Sequence, residues 1–247
     1  MSINLYSQSI NYKEPELIEV SLFQNKLDFS TVDILLKNIK TGDSFYIKDA
    51  FYGSIYDVKI SNEDLDEDHL SEFIIIGPSG GNQVTTIGYI VDLKKGIKPI
   101  CKFESCDGNT NYFFLNSILL TGNSGSGYIA KQFKYCLKYK NGKLYFDNKS
   151  KNIEFYGFVK LIIENYKNYL NINMDNFYQG RMTDFEAEEY ENTLQAMIIQ
   201  SLIADEDTDM IGLINYYYKA SDRIEIIKSI LESYIHVKAK TDYNYFE

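Results

Sequence analysis

The densest polar constellation in the chain is the run Glu63-Asp64-Leu-Asp66-Glu67-Asp68-His69-Leu-Ser71-Glu72. Its acids alternate as Asp64-x-Asp66-x-Asp68, and Glu72 follows four residues later. In a tight loop, alternate residues turn their carboxylates to one side, and a later acid closes an oxygen cage. A hard cation such as Ca2+ takes six to eight oxygens of this kind. Asp64, Asp66, Asp68 and Glu72 are therefore the candidate metal ligands, and Ca2+ is the candidate cofactor.

A second acidic feature falls later. Between Asp184 and Asp209 there are nine acids, and no Lys or Arg interrupts them. Thr183-x-x-Glu186 reads as a capping box, which accounts for Asp184 and Glu186 at a helix N-terminus. It does not account for Glu188, Glu189, Glu191, Asp205, Glu206, Asp207 and Asp209. A patch of one sign suits a basic groove on another protein, so these seven are the candidate partner-binding residues. An ordinary solvated face is the plainer alternative.

No catalytic constellation accompanies these acids. The chain has two His, at 69 and 236, and no nucleophile is placed beside either by sequence. Cys101-x4-Cys106 with the distant Cys136 lacks the paired spacing of a zinc site. The Gly-rich runs at 77–81 and 122–127 neither end in Gly-Lys-Ser/Thr nor match G-x-G-x-x-G before a helix, so both read as turns. The expectation is a protein that acts by binding rather than by catalysis.

The acidic run, with the apolar stretch Phe73 to Ile76 behind it, resembles the calcium loop of FG-GAP/VCBS-type repeats, whose pattern is D-x-D-x-D-G-x-x-D/E before a strand. In that family the loop binds calcium, and several copies build a β-propeller. The resemblance implies Asp64, Asp66, Asp68 and Glu72 as ligands. His69 stands where the pattern has Gly, at a position that calls for φ > 0. One copy of the loop is present. In general style the chain is also similar to bacterial immunity proteins of interbacterial competition and contact-dependent growth inhibition, being Tyr- and Asn-rich with acidic patches. That likeness implies a cognate toxin as partner.

The elements that must position these residues divide near residue 150. Before it, Ile18-Glu-Val-Ser-Leu-Phe, Phe45-Tyr-Ile, Tyr56-Asp-Val-Lys-Ile, Phe73 to Ile76, Val84 to Leu93, Ile97 to Phe103, Tyr112 to Leu120 and Tyr128 to Tyr139 read as strands. Gly77 to Gly81, Asp107-Gly108-Asn and Gly122 to Gly127 separate some of them, and Asn141-Gly142 marks a type I′ hairpin. After it the period becomes helical. Phe155, Phe158, Leu161, Ile162 and Tyr166 form one stripe, and Tyr190, Leu194, Met197, Ile198 and Leu202 a second. A third helix is expected from Thr208, and a fourth carries Ile224, Ile227, Leu231 and Tyr234. The expected class is α+β. An antiparallel β-rich region spans 1–150, and a helical region over 151–247 packs on it within one continuous domain.

Composition sets the outer limits. Of 247 residues, 45% are hydrophobic, enough for a core without disulfides. The chain has 35 Asp+Glu against 25 Lys+Arg, a formal net charge of -10. That field opposes nucleic acid and anionic membrane surfaces and favours a basic protein partner. The 22 Tyr suit interfaces, where a ring packs while its hydroxyl stays wet. An odd count of three Cys, the absence of a signal-peptide pattern after Met1 and the lack of a long apolar run point to a reduced, cytoplasmic setting. The combined expectation is an immunity or inhibitor protein that occludes the active site of a basic, nuclease-type toxin. The alternative is a calcium-stabilised binding module.

Overall fold

The computed structural model describes residues 7–10, 18–24, 31–69, 71–80, 85–92, 94–99, 101–105, 113–114, 117–124, 129–146, 153–205, 207–219 and 223–239. The fold is α+β, with antiparallel sheets followed by helices. Three four-stranded sheets follow one another along the chain, and in each the strands neighbour one another in sequence order. The first joins β1 (Ser7–Ile10), β2 (Ile18–Gln24), β3 (Thr31–Asn38) and β4 (Ser44–Tyr52). A short 3-10 turn, Ile55–Asp57, leads into the second sheet of β5 (Lys59–Glu63), β6 (Glu72–Pro78), β7 (Thr86–Val91) and β8 (Cys101–Ser105). The third joins β9 (Phe113–Phe114), β10 (Ser117–Ser124), β11 (Lys131–Lys140) and β12 (Lys143–Phe146). This threefold repetition of one topology was not expected from the sequence, in which no repeat is visible.

Four helices complete the described residues: α1 (Ile153–Tyr178), α2 (Asp184–Ala204), α3 (Met210–Tyr217) and α4 (Arg223–Ala239). Compactness groups the chain into two units. The first takes the described residues before 110 together with Tyr139–Leu144, and the second takes those of Asn111–Lys138 and Tyr145–Asp242. The change from strand to helix falls near 150, inside the second unit.

In the first unit, alternate residues of β2 and β3 bury Val20, Leu22, Val32, Ile34 and Leu36, as a one-sided sheet requires. They share a core with Phe51, Phe73, Ile75, Tyr89 and Val91, and the Phe51 and Tyr89 rings meet edge to face at 5.6 Å. β6 and β7 are nearly or wholly buried on both faces. This is why Phe73 to Val91 reads as apolar runs rather than alternation. Gly88 stands directly opposite Phe103 in the β7–β8 register, and the Phe103 ring occupies the space a Cβ at Gly88 would need. The same pairing recurs in the second unit, where Gly122 faces Phe133 across β10–β11. Gly122 therefore lies inside β10, and the turn expected at 122–127 does not begin there. Asn141 and Gly142 carry φ of 55° and 81°, the pair of positive values that a type I′ hairpin demands.

In the second unit, α1 buries Phe155, Val159 and Leu170, which succeed at spacings a helical stripe allows. Phe158 and Leu161, expected on that stripe, are 44% and 60% exposed. α4 differs likewise: Ile226 and Ile230 face inward, whereas Ile224 and Leu231 are exposed. Each of these helices carries two apolar seams, and the sequence does not say which one packs. α2 needs no such choice. Its expected stripe of Tyr190, Leu194, Met197, Ile198 and Leu202 is buried, and so are Ala196, Ile199 and Ile203 on its other sides. α3 begins at Met210 with Asp209 as its cap. No helix among the described residues is long and apolar enough to cross a membrane.

Candidate functional site

The acidic loop spans the connection between β5 and β6, whose register brings Glu63 opposite Glu72. Leu65 is 3% exposed and pins the loop to the core. Its backbone N–H donates to Glu72 Oε2 at 2.8 Å. Asp64 shapes the rest: its Oδ1 accepts from the Asp68 N–H at 3.1 Å and its Oδ2 from the His69 N–H at 3.0 Å. Glu67 and His69 adopt φ of 61° and 70°. His69 thus takes up the left-handed conformation that the resembled pattern gives to Gly.

One carboxylate oxygen from each of Asp64, Asp66 and Glu72 lies within 4.8 Å of the other two. Two oxygens that touch the same Ca2+ at 2.3–2.6 Å can stand no more than about 5 Å apart, so this spacing fits a shared ion. Asp66 Oδ1 is buried and has no hydrogen-bond partner among the described residues, an arrangement that proteins normally avoid. The fourth expected ligand, Asp68, is not gathered with the other three and forms an ion pair with Lys94.

Glu72 is 2% exposed. Burial pushes its carboxyl up to about 7, against the pull of the Leu65 N–H, and the nearby Asp66, Asp92 and Asp64 add to the rise. Asp92 is the residue that sequence reasoning missed. Phe73 pairs with Val91 across β6–β7, so the next step of that register sets Asp92 opposite Glu72. Asp92 is 3% exposed and its oxygens are occupied: Oδ1 accepts the Lys94 N–H at 2.9 Å and Oδ2 the Tyr139 hydroxyl at 2.8 Å. Burial, then that bond to Asp92, pushes the Tyr139 hydroxyl far up, so it stays a donor. Two buried acids side by side repel. Asp92 is the better solvated by donors, which leaves Glu72 to keep a proton or to share a cation. The available signal was a lone acid closing the apolar strand Gly88 to Val91.

The later acids are more dispersed in role. Glu189 pairs with Lys131, and Glu191 Oε1 accepts the hydroxyl of the buried Tyr218 at 2.9 Å. Asp205 ends α2 and accepts from the Asp207 N–H, while Asp209 caps α3 through the Gly212 N–H at 2.8 Å. Glu188 and Asp207 are exposed, and Glu206 lies outside the described residues. Phe185, Ile211 and Tyr216 on α2 and α3 are also well exposed, at 59%, 48% and 57%.

Cys101 and Cys136 are buried and outside any disulfide among the described residues, and burial pushes the Cys101 thiol up to about 12. Cys106 lies outside the described residues. No protein-family model, curated protein or solved structure matches the chain.

Proposed function

We propose that the chain is a calcium-stabilised binding module, with Asp64, Asp66 and Glu72 supplying carboxylates to the ion. The observation that carries this reading is the convergence of these three acids, one oxygen of each within 4.8 Å of the others. Three carboxylates offer six oxygens at most, and water completes a calcium shell of six to eight. The ion would neutralise Glu72 beside Asp92 and give the buried Asp66 Oδ1 a partner. Isothermal titration with Ca2+, in parallel with Mg2+, tests the reading. Saturable heat with Ca2+ that disappears in Asp66→Ala supports it, and no heat at millimolar Ca2+ rejects it.

A second reading concerns the partner: a cytoplasmic immunity protein that covers the active site of a basic toxin. The exposed Glu188 and Asp207, in a stretch free of Lys and Arg and flanked by exposed Phe185, Ile211 and Tyr216, favour it. Charge would raise the association rate, and the aromatic side chains would supply affinity. The test is Glu188→Lys with Asp207→Lys, leaving Glu191 in place because it holds Tyr218. Unchanged protection of cells against the toxin rejects this face as the contact.

A further inference from the structure

α1 and α3 both flank the end of α2, and the space between them is open. Two adjoining hollows of about 440 and 410 Å³ run along α1 and share Ile163, Lys167 and Ala204. Together they form a trough that follows α1 from Gly157 to Lys167, about 15 Å long at 1.5 Å per residue. Its floor is apolar, made by Val159, Ile163, Ala204 and Leu213. Charged side chains edge it. Lys160, Glu164 and Lys167 stand on the α1 side, where Lys160 and Glu164 pair at 4.0 Å and Lys167 sets the net sign. Asp205 and Asp209 stand on the other, both exposed, each with one oxygen engaged by a backbone N–H of its own turn.

We propose that this trough is a docking groove for an amphipathic helix of a partner protein. An apolar ridge of about three turns would lie on the floor. Acidic side chains on one flank would meet Lys167, and basic side chains on the other would meet Asp205 and Asp209. Helix-in-groove recognition uses this combination of an apolar channel and flanking charge. A ligand of one sign fits poorly: an anion suited to Lys167 meets the two aspartates opposite, and a cation suited to the aspartates meets Lys167. Length argues the same way, because the volume is spread along a helix rather than gathered into a chamber. The inference goes beyond the calcium reading and does not depend on it.

The probe is a lactam-stapled 14-residue helix with a leucine ridge, glutamates along one flank and lysines along the other. Its binding is read by fluorescence polarisation. Saturable binding is expected, and a peptide with glutamine on both flanks should bind roughly tenfold more weakly. Gly157→Phe should block one end of the trough; a Cβ there meets nothing within 4 Å, and circular dichroism checks that the variant folds. Leu213→Arg should block the other end, with circular dichroism as its check on folding. Asp205→Asn with Asp209→Asn should weaken the charged peptide towards the level of the glutamine one and leave the latter unchanged. Absence of saturable binding, or binding indifferent to Gly157→Phe, overturns the proposal.

Discussion

The Glu72 carboxylate accepts the Leu65 backbone N–H at 2.8 Å, so the side chain that closes the acidic loop is itself almost wholly buried. Burial raises it from about 4.5 to about 7. The folded chain therefore holds this proton more tightly than the unfolded chain does. Stability from this group is fully present below about 4.5, falls as pH rises towards 7, and is level above it. In cation-free buffer the loss is of the order of 3 kcal/mol. Glu72→Gln keeps an acceptor for Leu65 and removes the titration. Urea midpoints measured from pH 4 to 8 should lose this slope in the variant, which should also be the more stable protein at pH 8.

Calcium should act on the same slope. A ligand bound only by the folded state stabilises it by about 2.7 kcal/mol at a hundredfold excess over Kd. The melting temperature should rise with Ca2+ at pH 7.5, rise less at pH 5 where Glu72 keeps its proton, and not respond in Asp66→Ala. An equal rise in Asp66→Ala would place the ion elsewhere.

Gly88→Ala tests the sheet that carries the loop. The added methyl would sit 2.0 Å from the Phe103 ring across β7–β8. Overpacking of this kind costs about 3 kcal/mol. Phe103→Leu in the same chain should recover part of the loss, because the smaller side chain vacates the space. No recovery would mean that the glycine is needed for its backbone rather than for the ring above it.

The capping box of α2 supplies a control in the second unit. Thr183 Oγ1 accepts from the Glu186 N–H, and Glu186 Oε2 accepts from the Thr183 N–H at 2.8 Å. Thr183→Ala should cost about 1 kcal/mol. The bonds to Thr183 hold the Glu186 carboxyl below its ordinary value. Its contribution is thus present at neutral pH and lost as pH falls through the folded value. The variant's deficit, followed by chemical denaturation, should shrink in acid while the calcium response stays intact.

Local signals in the sequence suffice for part of the fold. The Thr183–Glu186 box, the Asn141–Gly142 turn and the all-apolar stripe of α2 each follow from a few adjacent residues, and each is present. Asp64 and Asp66 converge as alternate residues of one loop, and Glu72 joins them through the β5–β6 pairing that sets it opposite Glu63. Asp68 departs because Lys94, beyond the next hairpin, claims it. The packed seams of α1 and α4 were not legible, because Phe158 and Ile224 are as apolar as the Val159 and Ile226 that pack instead. Gly122 reads as a turn in isolation and becomes strand only under the Phe133 ring. Asp92 gained its meaning from Tyr139, which no local pattern could supply.

That last bond has a bearing on how the polypeptide is made. Asp92 and Tyr139 are 47 residues apart, and Tyr139–Leu144 belongs to the first compact unit although Asn111–Lys138 belongs to the second. A ribosome delivers chain from the N-terminus. The first unit cannot finish assembling when its own leading segment has emerged. It must hold a buried aspartate without its phenolic donor until β11 emerges from the ribosome, by which time β9 and β10 of the other unit have emerged as well.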